Sequence, residues 1–401
     1  MRRINLKTAQ VARSSTIRDI NRQIVLNYVR DKEPISRAEI ARETALQRST
    51  VSTIVEALKE DGLIEEIGAG ESTGGRRPTL LRLRAAGAIA IGVDITPTRT
   101  TIAKSDLAGR VLSKEEFPTD ARREKTLRRI VERVRALAKN KKTIEGIGVS
   151  LPGLVNPVTG SALYIPYFGW RDWPLAEELM NATGLNVSID NDANAAALAE
   201  LWFGRAEFSM TRDFITVLVA EGVGTGIVFD GQIYRGERSA AGEFGHMIVG
   251  EHAPVPCSCG NYDCWEAFAS GRAALARYAK SSRRIHKSDG QGQSLDFAQL
   301  VDRALKGERA AEAALIETVH YLGIGISNLI VGLSPEAVVV AGHIARAWPL
   351  ISEAVGETVA RSIRRGLPLA QIVASSLGDQ PTLTGAISLV LARKFAFTRA
   401  A

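Results

Sequence analysis

"VSIDNDANAAALAELWFG", residues 187–204, sets the architecture of the chain around it. A strand-like start ends in the polar residues Asp190, Asn191 and Asp192 and passes without a loop into an Ala-rich helix. A strand that feeds a helix directly belongs to a layered α/β sheet, and in such sheets ligands collect at strand ends. Upstream, "EGIGVSLPGLVNPVTG" (145–160) reads as a buried strand running into a Pro/Gly loop. Further back, "AIAIGVDITPTRTTIAKSDLAGRVL" (88–112) reads as two strands around turns, the second turn at Asp106 to Gly109. Strands alternating with helices give this part of the chain an α/β body.

At 401 residues the chain exceeds one ordinary core, so two to three domains are expected. Its most apolar later stretch, "YLGIGISNLIVGLSPEAVVVAG" (321–342), is broken by Ser327, Asn328 and Pro335 and falls short of the uninterrupted run of a membrane span. The basic N-terminus has no apolar run behind it, which argues against a secretory signal. A cytoplasmic protein with no membrane contact is the expectation. The formal charge of +7 is unevenly placed: residues 1–84 hold 16 Lys and Arg against 11 Asp and Glu, the remainder 35 against 33. A small basic segment on a near-neutral body points to a nucleic-acid module, with a solvated basic tail as the plain alternative.

That segment has internal order. Ile20, Ile24 and Tyr28, with Val25 and Val29 beside them, recur at helical spacing to about Val29, and Pro34 follows. "SRAEIARET" (36–44) opens a second helix with Ser36 as N-cap and Glu39 three residues later, the pairing that satisfies orphan amides at a helix start. Beyond the turn "ALQ", Val51, Ile54, Val55 and Leu58 put one buried stripe on a third helix. Gln47, Arg48, Ser49, Ser52 and Thr53, outward near its start, are hydrogen-bonding groups suited to base edges and phosphates. Asp61-Gly62 stops the helix, "LIEEI" and "TLLRLR" read as strands, and the loop "GAGESTGGRRP" between them carries Arg76 and Arg77. Three helices and a basic hairpin make a winged helix-turn-helix, whose partner is a double-stranded DNA operator. Paired half-sites make a homodimer the expected assembly, with a tetramer as the larger alternative.

All three cysteines fall within "GHMIVGEHAPVPCSCGNYDCWE" (245–266). His246, Cys257, Cys259 and Cys264 supply one imidazole and three thiolates, the composition of a closed tetrahedral zinc site; soft sulfur favours zinc over magnesium or calcium. A disulfide would strand an odd thiol in a reducing compartment, and unligated small core residues are the other alternative. Zinc here would turn binding energy into local folding energy and would hold His246 with its second nitrogen facing outward. Glu243 stands three residues before His246, on the same side if that turn is helical, and Glu266 two residues after Cys264. Singly, either would be a surface acid; tied to such a loop, they are the fixed acceptors that adjacent sugar hydroxyls require.

"LPGLVNPVTG" (151–160), "IDNDANAAALAE" (189–200), "AGEFGHM" (241–247) and "CSCGNYDCWEAFAS" (257–270) together resemble the ROK family of sugar-responsive repressors and sugar kinases, over nearly the whole length. A winged helix-turn-helix ahead of the body is that family's repressor layout. The resemblance implies a DNA-binding domain over 1–84 and a two-lobed α/β body of the actin-like ATPase, ribonuclease H-like kind. Its first lobe would be 85–190 plus 382–401, the last helix returning around Thr384 to Phe395, and its second lobe 191–381, with the zinc loop and sugar site. The resemblance also implies that Asn191, Asp192, Glu243, His246 and Glu266 contact a monosaccharide or sugar derivative, and that His252 is not a metal ligand. Gly153 either lets backbone approach the ligand or makes a plain turn. Trp170 and Arg171 of "YIPYFGWRDWP" (164–174) either line the cleft or pack.

In the family's kinases the position of Asp192 is the general base, but two of the three nucleotide elements here depart from the kinase pattern. The phosphate loop Asp-x-Gly-Gly-Thr appears as "DITPTRT" (94–100), with Thr96 and Pro97 in the glycine positions. Proline has no amide hydrogen to offer, and any side chain crowds the approach. "EGVGTGIVFDG" (221–231) keeps Gly222, Gly224 and Gly226, which a tight strand turn would keep regardless. "VVVAGHIARA" (338–347) has His343 after Gly342, where kinases usually carry another glycine. The expectation is a kinase-derived sensor that represses carbohydrate uptake or catabolism genes, with zinc as structural cofactor, no catalytic residue, and Asp192 retained as a hydroxyl acceptor. A sugar kinase with a fused DNA-binding domain, and a regulator answering to a transport-system protein, are the alternatives.

Overall fold

The computed structural model describes residues 14–70, 77–138, 144–204, 211–285, 295–363 and 366–395. The N-terminal module runs α1 (Ser14–Lys32), β1 (Ile35–Ser36), α2 (Arg37–Thr44), α3 (Arg48–Glu60), β2 (Ile64–Ala69) and β3 (Thr79–Leu83). Ser36 caps α2: its Oγ accepts from Glu39 N at 3.2 Å while Glu39 Oε2 accepts from Ser36 N at 2.8 Å. Such a reciprocal cap is worth about 1 kcal/mol. Val51, Ile54, Val55 and Leu58 are the buried face of α3. β3 is the central strand of the hairpin sheet, antiparallel to both β1 and β2. The observed order is that of a winged helix-turn-helix.

The body holds two five-stranded sheets of one design. The first uses β4 (Ile89–Ile95), β5 (Arg99–Ser105), β6 (Val111–Pro118), then α4 (Arg123–Leu137) and β7 (Ile144–Leu151). A small sheet of β8 (Leu154–Asn156), β9 (Ser161–Ile165) and β10 (Trp170–Trp173) intervenes before α5 (Leu175–Thr183) and β11 (Val187–Asn191). Helix α6 (Asp192–Phe203) leads to the second sheet: β12 (Phe214–Val219), β13 (Val223–Phe229) and β14 (Gln232–Ile233). Then follow α7 (Trp265–Ala269), α8 (Gly271–Ile285), α9 (Phe297–Leu305), α10 (Arg309–Leu333), β15 (Ala337–Ala341), α11 (Trp348–Ser362), β16 (Gln371–Ala374) and α12 (Pro381–Phe395). Across the sheets the orders are β6-β5-β4-β7-β11 and β14-β13-β12-β15-β16. In each, the second strand is antiparallel to the first, and the fourth and fifth are parallel to it. This duplicated order is the two-lobed body of the actin-like kind.

Strands β4, β12 and β15 are buried end to end and largely apolar, as strands are when helices cover both faces, with Asp94 of β4 and Thr216 of β12 as the buried polar residues. α12 lies on the first sheet. α6 crosses α12 where a Cβ on Gly385 would stand 2.2 Å from Ala195 O, and crosses β13 where a Cβ on Gly226 would stand 2.3 Å from Ala193 O. The alanine content of α6 therefore has a packing reason: it is wedged against neighbours on two sides. α10 is long and apolar enough to cross a membrane by length and composition, but 61% of that apolar window is buried in the second-lobe core.

The DNA module is not tethered loosely to this body. Val25, Leu26 and Val29 of α1 share one apolar cluster with Ala88 and Ala90 of the first lobe and Ile387, Leu391 and Phe395 of α12. The Arg30 guanidinium lies 4.9 Å from the ring centroids of both Trp202, at the end of α6, and Phe395. Asn27 Nδ2 donates to Phe395 O at 2.8 Å.

Candidate functional site

An open cleft lies between the two sheets, and Gly153, Asn191, Asp192, Glu243, His246 and Glu266 all line it. Asn191 is the N-cap of α6: its Oδ1 accepts from Ala193 N at 2.9 Å and Asn194 N at 3.3 Å. Its Nδ2 donates to Gly153 O at 2.9 Å, which ties the Pro/Gly loop to the helix start. Gly153 has φ +85°, and a Cβ there would stand 2.4 Å from Tyr164 O, so the turn itself demands glycine. Asp192, the first helical residue, spends Oδ1 on Ala193 N at 2.8 Å. Burial above all, then the charges of Asp94, Glu243 and Glu221, push its pKa up to about 7 against that hydrogen bond.

The thiols and His246 converge. Donor atoms of His246, Cys257, Cys259 and Cys264 lie within 4.8 Å of one another. Cys259 Sγ and Cys264 Sγ are 3.8 Å apart, and His246 Nδ1 is 3.2 Å from Cys257 Sγ. Tetrahedral zinc–sulfur bonds of about 2.3 Å place two sulfurs about 3.8 Å apart, so the donor set fits a zinc ion. His252, exposed and outside this cluster, has φ +62°. Without a metal, hydrogen bonds to Cys257 and then Glu243 push the His246 pKa up to about 11; a metal would take the place of the proton on Nδ1.

Because Glu243–His246 is a turn of 3₁₀ helix, Glu243 Oε2 lies 3.4 Å from His246 Nε2, the nitrogen turned away from the thiols. The Glu243 side chain keeps 47% exposure toward the cleft. Glu266 is different. Buried, its Oε1 accepts from Ser258 N and from Arg272 Nη2, each at 3.0 Å. It braces the metal loop to the hairpin as much as it faces the cleft. The loop is anchored further by Trp265, fully buried, with Nε1 donating to Tyr321 O at 2.9 Å. Its ring occupies the space a side chain on Gly325 of α10 would need, 1.9 Å from that Cβ.

The turn at Thr96 to Arg99 closes on itself. Thr96 N donates to Arg99 O at 2.8 Å, Thr96 Oγ1 accepts from Arg99 N at 3.1 Å, and Pro97, which lines the cleft, has no amide hydrogen. Asp94 is buried beneath it, its Oδ2 accepting from Thr382 Oγ1 at 2.8 Å; burial pushes its pKa up to about 6. Gly224 and Gly226 face Ala193 of α6 at distances that admit no side chain. Close packing therefore accounts for these two glycines.

Sequence reasoning missed Glu221 and Tyr167, both in the cleft wall. Tyr167 comes from the same loop as Trp170 and Arg171, which pack instead. Trp170 stacks on Phe168 with centroids 4.3 Å apart and donates to Ala121 O at 2.6 Å, and Arg171 lies 4.1 Å over the Tyr164 ring. On the DNA module, Gln47, Arg48, Ser49 and Thr53 are exposed at the start of α3, Ser52 is half-buried, and Arg77 is exposed at the foot of the wing. Arg76 lies outside the described residues.

A ROK family model matches residues 90–393. The chain belongs to the ROK family. A winged helix-turn-helix DNA-binding model matches residues 18–65 of this ROK protein. It is 32% identical to the xylose repressor of Caldicellulosiruptor bescii over 392 residues, covering 95% of this chain and 98% of the relative. Among solved structures it is similar to a ROK family transcriptional regulator, a homologue of the Escherichia coli MLC protein, with TM-score 0.77 and 26% identity over 95% of this chain and 97% of that one. It is also similar to a ROK family glucokinase from Streptomyces griseus in complex with glucose and AMPPNP, with TM-score 0.68 and 29% identity over 76% of this chain and 99% of the kinase. The repressor relatives thus match module and body together, whereas the kinase match spans about the length of the body alone.

Proposed function

We propose that this ROK protein is a sugar-responsive transcriptional regulator, a repressor of carbohydrate uptake or catabolism genes, acting in the cytoplasm as a homodimer on an operator. The observation that carries this reading is α6. It begins at Asn191 and Asp192 in the cleft and, in its last turn, brings Trp202 against the DNA module, about 16 Å away at 1.5 Å per residue. Asp192, Glu243 and His246 Nε2 would receive the hydroxyls of a monosaccharide. Zinc on His246 Nδ1 and the three thiolates would supply folding energy and orientation for Glu243 and His246. Closure of the lobes on a sugar would move α6 against its two packed neighbours and so shift the reader helices of a dimer.

Phosphoryl transfer needs the nucleotide phosphates cradled as well as a base positioned. Thr96 N–H is spent within its own turn and Pro97 offers none, which speaks against a triphosphate there. One observation favours a residual kinase: Asp192, held near neutral pKa, is suited to take a hydroxyl proton. Two measurements test the reading. Operator affinity, measured with and without each member of a monosaccharide panel, should change for at least one sugar; an unchanged value throughout removes the sensor. ADP formation with ATP and the same panel should stay at background; turnover on the order of 1 per second or more would make the protein an enzyme.

A further inference from the structure

Devices that hold phosphate in proteins are few: a lysine or arginine, a free helix N-terminus, or unpaired amides in a glycine loop. In this cleft the basic side chains are absent from the wall or paired nearby, and four amides at the helix start and the hairpin turn are already engaged. Among the described residues no lysine or arginine lines it. The nearby guanidinium of Arg272 is held by Glu266 Oε1 and by Glu221 O, both at 3.0 Å, and Arg235 is paired with Asp190 at 3.2 Å. The start of α6 faces the cleft, but Ala193 N and Asn194 N are taken by the side chains of Asn191 and Asp192. In the hairpin turn, Ala220 N donates to Gly222 O at 3.0 Å and Val223 N to Glu266 Oε2 at 3.4 Å.

What the cleft does present is carboxyl groups. Asp192, Glu221, Glu243 and Glu266 line it, with His246 beside Glu243 and Arg272 beside Glu266 as basic neighbours. Glu221 differs from the others in place. It sits at the β12–β13 turn, and its Oε1 accepts from Thr98 Oγ1 of the opposite lobe at 3.4 Å. Its carboxylate thus stands between the two turns that correspond to the phosphate loops of the family's kinases.

Resting on the sugar-sensor reading, we propose that the effector is an uncharged monosaccharide bearing no phosphate, and that Glu221 is the residue that turns phosphorylated sugars away. A phosphate dianion beside Glu221 meets like charge across a cleft poor in screening cations, whereas a neutral sugar meets acceptors.

The test is calorimetric titration of the full chain with glucose, xylose and N-acetylglucosamine, each beside its terminal phosphate ester, and with inorganic phosphate as control. At least one free sugar should bind, and its ester at least about tenfold more weakly, the gap narrowing as salt is raised. In Glu221→Gln the ratio of ester to free-sugar dissociation constants should fall on the order of tenfold, and in Glu221→Asp, which keeps the charge, it should stay. An ester that binds as tightly as its free sugar overturns this proposal and leaves the sensor standing. An unchanged ratio in Glu221→Gln removes the role of Glu221. No binding by any compound overturns both readings.

Discussion

The two walls of the cleft rest on sheets of identical strand order, yet they hold their shape by opposite means. On the second lobe, Glu243 and His246 are held from behind by thiols, by Glu266 and by Trp265 seated on α10. That wall keeps its acceptors pointed outward whether or not anything occupies the cleft. On the first lobe, Thr96 N and Arg99 N are bonded within the Thr96–Arg99 turn, and Pro97 presents a surface without a donor. One wall holds acceptors toward the cleft; in the turn of the other, the Thr96 amide is spent and Pro97 has none. On the sensor reading proposed above, one fold would keep half of a two-substrate site and close the other half by changes confined to a turn.

The most severe way to break this contrast is to remove the brace. Cys257→Ser with Cys264→Ser should abolish bound zinc, expected at one per chain, and cost roughly 4 kcal/mol or more. In a body of this size that is about 8 °C or more in Tm, read by metal analysis and thermal melting. Wild-type protein that carries no metal when purified without chelator would leave the wall without its brace. Next in size is the link from cleft to reader. Trp202→Ala deletes one face of the Arg30 sandwich; sugar binding should persist by calorimetry, while the change in operator affinity on adding sugar falls from a typical 5- to 150-fold toward none. An intact response in that variant would send the signal by another route.

A pH series sharpens the comparison further. Asp192 and Asp94 have folded pKa values raised to about 7 and about 6, so their protonated forms are favoured in the folded chain. Their contribution to stability is complete below the unfolded carboxyl pKa of about 4 and is lost as pH rises through 6 to 7. Stability of the sugar-free protein should therefore decline over that window, by at most about 1.4 kcal/mol per pH unit for each group. Asp192→Asn should remove its share of the slope, and an unaltered slope would contradict the charge crowding in the cleft. The smallest effect belongs to the reader. Arg48→Ala should reduce the salt slope of operator binding by about one counterion, and an unchanged slope would take Arg48 off the phosphates.

Much of this molecule is written locally. The capping box of α2, the stripe of α3 and the strand-to-helix passage at Asp190 to Ala193 are set by near neighbours, and their spacing is visible in the chain. The thiol cluster is equally legible, because three cysteines together with His246 inside 19 residues have few other uses. Glu221 was not legible as a wall of the cleft: its place depends on Thr98, 123 residues away and on the other lobe. Trp170 and Arg171 left two readings open because aromatic and guanidinium groups serve cores and ligands alike; the stacking with Phe168 and Tyr164 assigns them to packing. The glycines of β13 had a cause that no short window holds, namely the approach of α6.

Arg30, clasped by rings from α6 and α12, has a consequence for how such proteins can be rebuilt. The peptide chain leaves the reader at Ala85–Gly87, but the mechanical seam runs elsewhere, through three side chains drawn from the two ends of the sequence and its middle. A reader grafted from a relative at the covalent junction alone would bind its own operator yet ignore the sugar, unless Trp202 and Phe395 were transplanted with it.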